Sequence, residues 1–239
     1  MKTYHLIIIL LAATLLAACT DNAKVNLSYD HPERYNIGNA TIAQPVKSID
    51  IDWLCGEIDI RYSDNTELRI YEETPDSLPV LTDSLRMRYY VDDEGTLEIQ
   101  YIGPGKYRYG DMKNIRKHLV VEVPRGTELK DIDIDGVDNR VRIEQVLSRE
   151  VTVDGVKVNV NAHYPDTMPD EIGIDGVNCL LALYVQPSAG LTVEMSGLTP
   201  ELRCDLPSRK EGEKTIVGDG GCKVDADGVN VKLIVSEWK

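Results

Sequence analysis

The sequence predicts an all-β chain, a single-stranded β-solenoid (β-helix-like) with rungs of about 20 residues and a β-hairpin insertion, on three observations. Short runs alternate strictly between apolar and polar residues, as in Ile49-Asp50-Ile51-Asp52-Trp53, and such alternation marks strands with one buried face. A glycine-marked phrase recurs at Gly136, Gly155, Gly176, Gly197 and Gly228, at spacings of 19, 21, 21 and 31 residues. Self-similarity near 20 residues is the pattern of chains in which each copy buries its apolar face only by stacking on the next. Finally, the stretch 48–60, SIDIDWLCGEIDI, is written almost again at 131–143 as DIDIDGVDNRVRI.

The elements follow in order. After Lys2, an apolar run from Leu6 to Ala18 is too short to cross a bilayer as a stable helix and reads as a secretion signal. Leu16-Ala17-Ala18-Cys19 resembles the lipobox of bacterial lipoproteins. That resemblance implies a lipoprotein signal peptide over 1–18, acylation of Cys19 with palmitate-like chains, and a membrane anchor. The expected location is the bacterial cell envelope, on the periplasmic or the surface face of the outer membrane. Residues 19–45 read as a tether leading into the first strand. Residues 46–128 form a first β-solenoid part, with alternation at Ile58, Ile60 and Tyr62 and again at Leu68 and Ile70. It contains a hairpin turning at Asp92 to Gly95, a Tyr- and Gly-rich loop, one short helical turn within 110–118, and a strand ending at Pro124. Residues 129–239 form the regular rungs.

Within each repeat an apolar residue faces the core, Asp accepts hydrogen bonds from the following backbone, Gly takes a turn conformation, and Val restarts the strand. Trp53 stands where the second copy has Gly136, so the first rung turns differently. The long last interval is assigned to a polar insertion at 211–221. The stretch 229–239 reads as the final strand of the stack, with Lys232 guarding an open edge and Trp238 either a lid or a core ring.

Residues 46–73 and 113–146, with a Trp-containing first strand, a late Val-Pro strand end and glycine-marked rungs, resemble the putative-adhesin family of bacterial β-solenoid domains. The resemblance implies fold from about Tyr29 onward and an adhesion role by name; it brings no catalytic residues and no cofactor.

Charge narrows the partners. Subtracting Lys2 from 26 basic side chains leaves 25 against 40 acidic ones in the mature chain. So acidic a chain repels phosphate backbones and anionic headgroups, which argues against nucleic acid and leaves membrane attachment to the lipid on Cys19. The four further cysteines, Cys55, Cys179, Cys204 and Cys222, allow three disulfide pairings or buried free thiols.

Two surfaces are candidates for binding. Tyr101, Tyr107 and Tyr109 with Lys106 and Arg108 interleave rings and cations as a saccharide or peptide groove does; the alternative is a loop folded over the flank. If the rungs stack in register, Asp135, Asp154, Asp175 and Asp227 form a carboxylate ladder that binds calcium weakly; the alternative is turn chemistry. An EF-hand reading of Asp131, Asp133, Asp135 and Gly136 fails at Asp138 and Arg142, where a hydrophobe and a bidentate Glu belong. With His31, His118 and His163 apart from any nucleophile motif, the chain reads as a non-catalytic binding or adhesion protein with an unknown protein or glycan partner. The alternatives are a polysaccharide-acting β-helix enzyme and a structural envelope scaffold.

Overall fold

A computed structural model describes residues 24–74 and 81–238; the signal segment and Cys19 lie outside the described residues. The chain is all-β, as the alternation predicts. The single-stranded β-solenoid is not what forms: the strands lie in two large mixed sheets and a two-stranded ribbon.

The ribbon pairs β1 (Lys24–Leu27) with β9 (Gly105–Arg108), antiparallel. The eleven-stranded sheet begins with β2 (Asn36–Ile37), β7 (Arg88–Val91), β8 (Thr96–Gln100) and β4 (Ser48–Trp53). It continues through β11 (Glu128–Val137), β13 (Leu147–Val156), β15 (Glu171–Val177) and β21 (Cys222–Val229). It ends with β17 (Leu191–Met195), β20 (Lys214–Val217) and β19 (Ser208–Glu211). The nine-stranded sheet begins with β3 (Ala40–Ile42), β6 (Leu68–Glu73), β10 (Lys117–Pro124) and β5 (Gly56–Ser63). It runs on through β12 (Asn139–Glu144), β14 (Asn159–Tyr164), β16 (Leu180–Val185), β22 (Lys232–Glu237) and β18 (Glu201–Cys204).

The repeats are real, but each copy contains two strands, and these go to different sheets. The strand ending in Gly-Val joins the eleven-stranded sheet, and the strand after the turn joins the nine-stranded one. Pairing in the middle is parallel and in register, with Gly136 beside Gly155, Gly155 beside Gly176 and Gly176 beside Gly228. Antiparallel strands close both ends: β7 on β8 and β3 on β6 at one, β20 on β17 and β19 on β20 at the other.

Chain order is also broken. β21 lies between β15 and β17, and β22 between β16 and β18. Burial accounts for the exchange: β22 carries Leu233 and Val235, both fully buried, whereas the corresponding Leu202 and Cys204 of β18 are only half-buried. The more apolar strand takes the interior place and the polar one the edge. The carboxyl-terminal strand is therefore not last in the stack. Trp238 is no end lid; its ring packs edge-on against His163 at 5.2 Å.

From Lys24 onward the expected tether is already structured, supplying β1, β2 and β3. The hairpin at Asp92–Gly95 forms as read, with the Asp92 carboxylate accepting from the amides of Glu94 at 2.9 Å and Thr96 at 2.7 Å. The insertion near 211–221 folds as the β19–β20 hairpin, and the short helical turn becomes α1 (Tyr109–Lys113).

The two sheets share one apolar cluster, built from the inward alternates Ile49, Ile51, Ile132, Ile134, Val151 and Val153 of one sheet and Ile58, Ile60, Val141 and Ile143 of the other. Inside it sits a buried ion pair. Lys117 Nζ lies 2.6 Å from Glu72 Oε2, donates to the carbonyls of Leu85 and Tyr101, and stands 4.9 Å from the centre of the Trp53 ring. Burial pulls the Lys117 ammonium down to about 8, against the attraction of Glu72. Glu72 in turn accepts from the Met87 amide.

Candidate functional site

The carboxylate ladder forms in register. Asp52, Asp135, Asp154, Asp175 and Asp227 stand side by side on five neighbouring strands, and Gln100 of β8 extends the row and donates to Asp52. A second row on the same face carries Glu98, Asp50, Asp133 and Asp225. Burial, then the neighbouring Asp52 and Asp154, raises the Asp135 carboxyl to about 8; burial also raises Asp52. At Asp135 and Asp52 burial thus favours the protonated form, which carries no charge to repel its neighbours. Among the described residues no three His, Cys, Asp or Glu side chains converge to hold a metal ion. The rows lie along a sheet instead of curling around a point. Asp227 is satisfied locally, accepting from the Gly228 amide at 2.6 Å, which is the turn chemistry of the alternative reading.

The Tyr- and Gly-rich segment divides. Tyr101 is core: it is 4% exposed, packs edge-on to Trp53 at 5.0 Å, and its hydroxyl donates to the Ile115 carbonyl. It offers no surface to a ligand. Tyr109 is half-buried against the same cluster. Lys106 and Arg108 are exposed on β9, and with Tyr107 they line a cleft of about 460 Å³ floored by Leu85, Met112 and Ile115. The Tyr107 hydroxyl donates to the Gly103 carbonyl at 2.9 Å, which fixes its ring.

A larger cleft, of about 670 Å³, lies beside β15, β21 and β17 of the eleven-stranded sheet, toward its β19–β20 side. Three connections build it: the β14–β15 loop with Tyr164, Asp166 and Asp170, the β16–β17 loop with Gln186 and Gly190, and the β20–β21 turn with Gly221. Its lining carries two carboxylates and neither Lys nor Arg. The sequence reading did not single out these loops. Their signal was present: Tyr-Pro-Asp at 164–166 and Gln-Pro-Ser at 186–188 put turn residues one repeat apart, so they stack at the same end of successive units.

Cys55, Cys179, Cys204 and Cys222 are all free thiols, three of them buried. Burial raises the Cys222 thiol to about 12 and raises Cys55 and Cys179, so these three buried thiols are not poised as thiolates. His118 sits between Asp59 at 3.2 Å and Glu73 at 3.3 Å on the outer face of the nine-stranded sheet, across adjacent strands.

The fold has a solved counterpart. A protein described as a putative cell adhesion protein from Clostridium sporogenes matches with a TM-score of 0.67 at 12% identity, over 85% of this chain and 100% of that one. At that identity the likeness concerns the fold alone. No family model matches the chain, and no curated protein matches it in sequence. Among the described residues no helix is long and apolar enough to cross a membrane.

Proposed function

We propose that the chain is a lipid-anchored, non-catalytic protein of the bacterial cell envelope that holds a binding surface away from the membrane. The observation that carries this reading is the separation of the two ends. β1 begins five residues after Cys19 and lies against the β2–β7 end of the strand order, with the Tyr29 ring on Tyr35 and Tyr35 on Tyr90. The loop-lined cleft lies toward the β17–β20 end. Six to eight steps between neighbouring strands, from β2 to the β15, β21 and β17 strands beside the cleft, at about 4.8 Å each, put the cleft roughly 29 to 38 Å from the β2 edge.

A protein anchored through Cys19 therefore presents its larger cleft outward. The printed description of the structural neighbour, a cell adhesion protein, agrees with such a role. Asp166 and Asp170 beside the cleft, with no cation in its lining, favour a hydroxyl-rich or cationic ligand over an anionic one. Capture of neutral glycans and basic peptides by the mature protein tests this. Binding should fall about ten-fold in the Asp166→Ala/Asp170→Ala variant; capture unaltered by that change, or release of shortened glycan products, would count against it.

A further inference from the structure

We infer that the β1–β9 ribbon is a docking face for anionic phospholipid headgroups, and that it fixes the protein's orientation on the bilayer. The inference rests on the reading of Cys19 as the anchor. The antiparallel register sets Lys24 directly opposite Arg108 and Asn26 opposite Lys106, and the alternation exposes all four on one face. Like charges directly opposite each other in a strand pair repel. Among the described residues Arg88, Arg116, Lys117, Lys223 and Lys232 each lie close to an acidic side chain or a carbonyl oxygen, whereas no ion pair or side-chain hydrogen bond holds Lys24, Lys106 or Arg108. Asp111 is the one carboxylate lining the adjoining cleft.

This local excess of positive charge stands out in a chain of net charge −14. It also stands where a membrane would be. Five residue steps separate Cys19 from Lys24, and a fully extended chain covers about 3.5 Å per step, so an acyl chain on Cys19 holds Lys24 within roughly 18 Å of the bilayer surface. Basic side chains at that range are drawn to anionic headgroups, while the acidic remainder is repelled and points outward. The apolar floor of the cleft, Leu85, Met112 and Ile115 beside the Tyr107 ring, lets the cations settle at the headgroup level without exposing a polar interior.

The test uses the full lipidated protein on vesicles of phosphatidylcholine alone and of phosphatidylcholine with phosphatidylglycerol. Lysine acylation by a water-soluble ester is read peptide by peptide. On the anionic vesicles Lys24 and Lys106 should react about ten-fold more slowly than on the neutral ones, with Lys210 of β19 unaffected, and high salt should abolish the difference. A Lys24→Ser/Arg108→Ser variant, altered only at exposed positions, should still float with both vesicles but lose the protection of Lys106. Equal labelling on both vesicle types by a floating protein overturns the docking face and leaves the anchor standing. Failure to float overturns the anchor and the docking face with it. Protection by soluble polygalacturonate but not by vesicles overturns the lipid assignment in favour of an acidic glycan.

Discussion

Lys117 illustrates what a single inward position can demand. Strand alternation continues backward from Val123, Val121 and Leu119 to Lys117, which places the ammonium on the core side. The alternation was therefore legible, but the partner was not, because Glu72 lies 45 residues away on a strand that joins β10 antiparallel. Removing only the cation leaves the buried Glu72 carboxylate with the longer Arg86 pair, Nε to Oε1 at 3.7 Å, and the Met87 amide as its remaining partners. Lys117→Met should lower the unfolding free energy by roughly 3 to 5 kcal/mol, and the double change Lys117→Met/Glu72→Gln should recover about half of that, as read by urea denaturation. Tyr101 takes the alternative of the two readings of its segment, a loop folded over the flank, for a related reason. Its loop composition resembles a groove, yet the ring is needed against Trp53 and the Lys117 cation, 4.4 Å from its centre.

Asp135 gives the pH dependence its sign. Its folded pKa near 8 lies above the ordinary carboxylate value, so the folded state binds this proton more tightly than the unfolded state does. The stability it contributes is full below about pH 4 and is lost as pH rises toward 8. The groups facing it are Asp52 and Asp154 on the flanking strands, with Asp50 and Asp133 beside them. The urea midpoint should accordingly be higher at pH 5 than at pH 8, by on the order of 1 to 3 kcal/mol of stability. Asp135→Asn should flatten most of that difference and stabilise the protein at pH 8; a midpoint that rises with pH across this range would refute the account.

At the scale of elements, the glycine ladder was legible and its mechanical meaning only in part. Gly155 and Gly176 do have positive φ, 156° and 149°, but the tighter constraint is the neighbouring strand. A side chain on Gly155 would run into the Gly136 carbonyl oxygen, and one on Gly176 into that of Gly155. The left-handed turn residues come two positions later, at Asp138, Lys157, Asn178 and Asn230, with φ of 58° to 59°. Asn230 Nδ2 donates to Asn178 Oδ1 at 2.6 Å, so these turns bond to one another along the stack. Gly155→Val and Gly176→Val should each destabilise by on the order of 1 to 3 kcal/mol in thermal or urea unfolding, and more if the strand cannot move away. The partition of each repeat into two sheets, and the insertion of β21 and β22 ahead of β17 and β18, were not legible. Local alternation states which face of a strand is buried, whereas strand order is set by competition among whole strands for interior places.

Across the molecule, charged short strands end the stack. β19 exposes Arg209, Lys210 and Glu211, and β18 exposes Glu201 and Arg203, which blunts both sheet edges against further pairing. The sheets thus run from a basic ribbon near the anchor toward the larger cleft and a charged far edge, and the orientation of both depends on which end meets the bilayer. The direct test is membrane fractionation with palmitate labelling of the full chain and of Cys19→Ser. The account predicts that the parent protein sediments with membranes and incorporates the label, whereas Cys19→Ser is soluble and unlabelled; membrane partition and labelling unchanged by the substitution would contradict it.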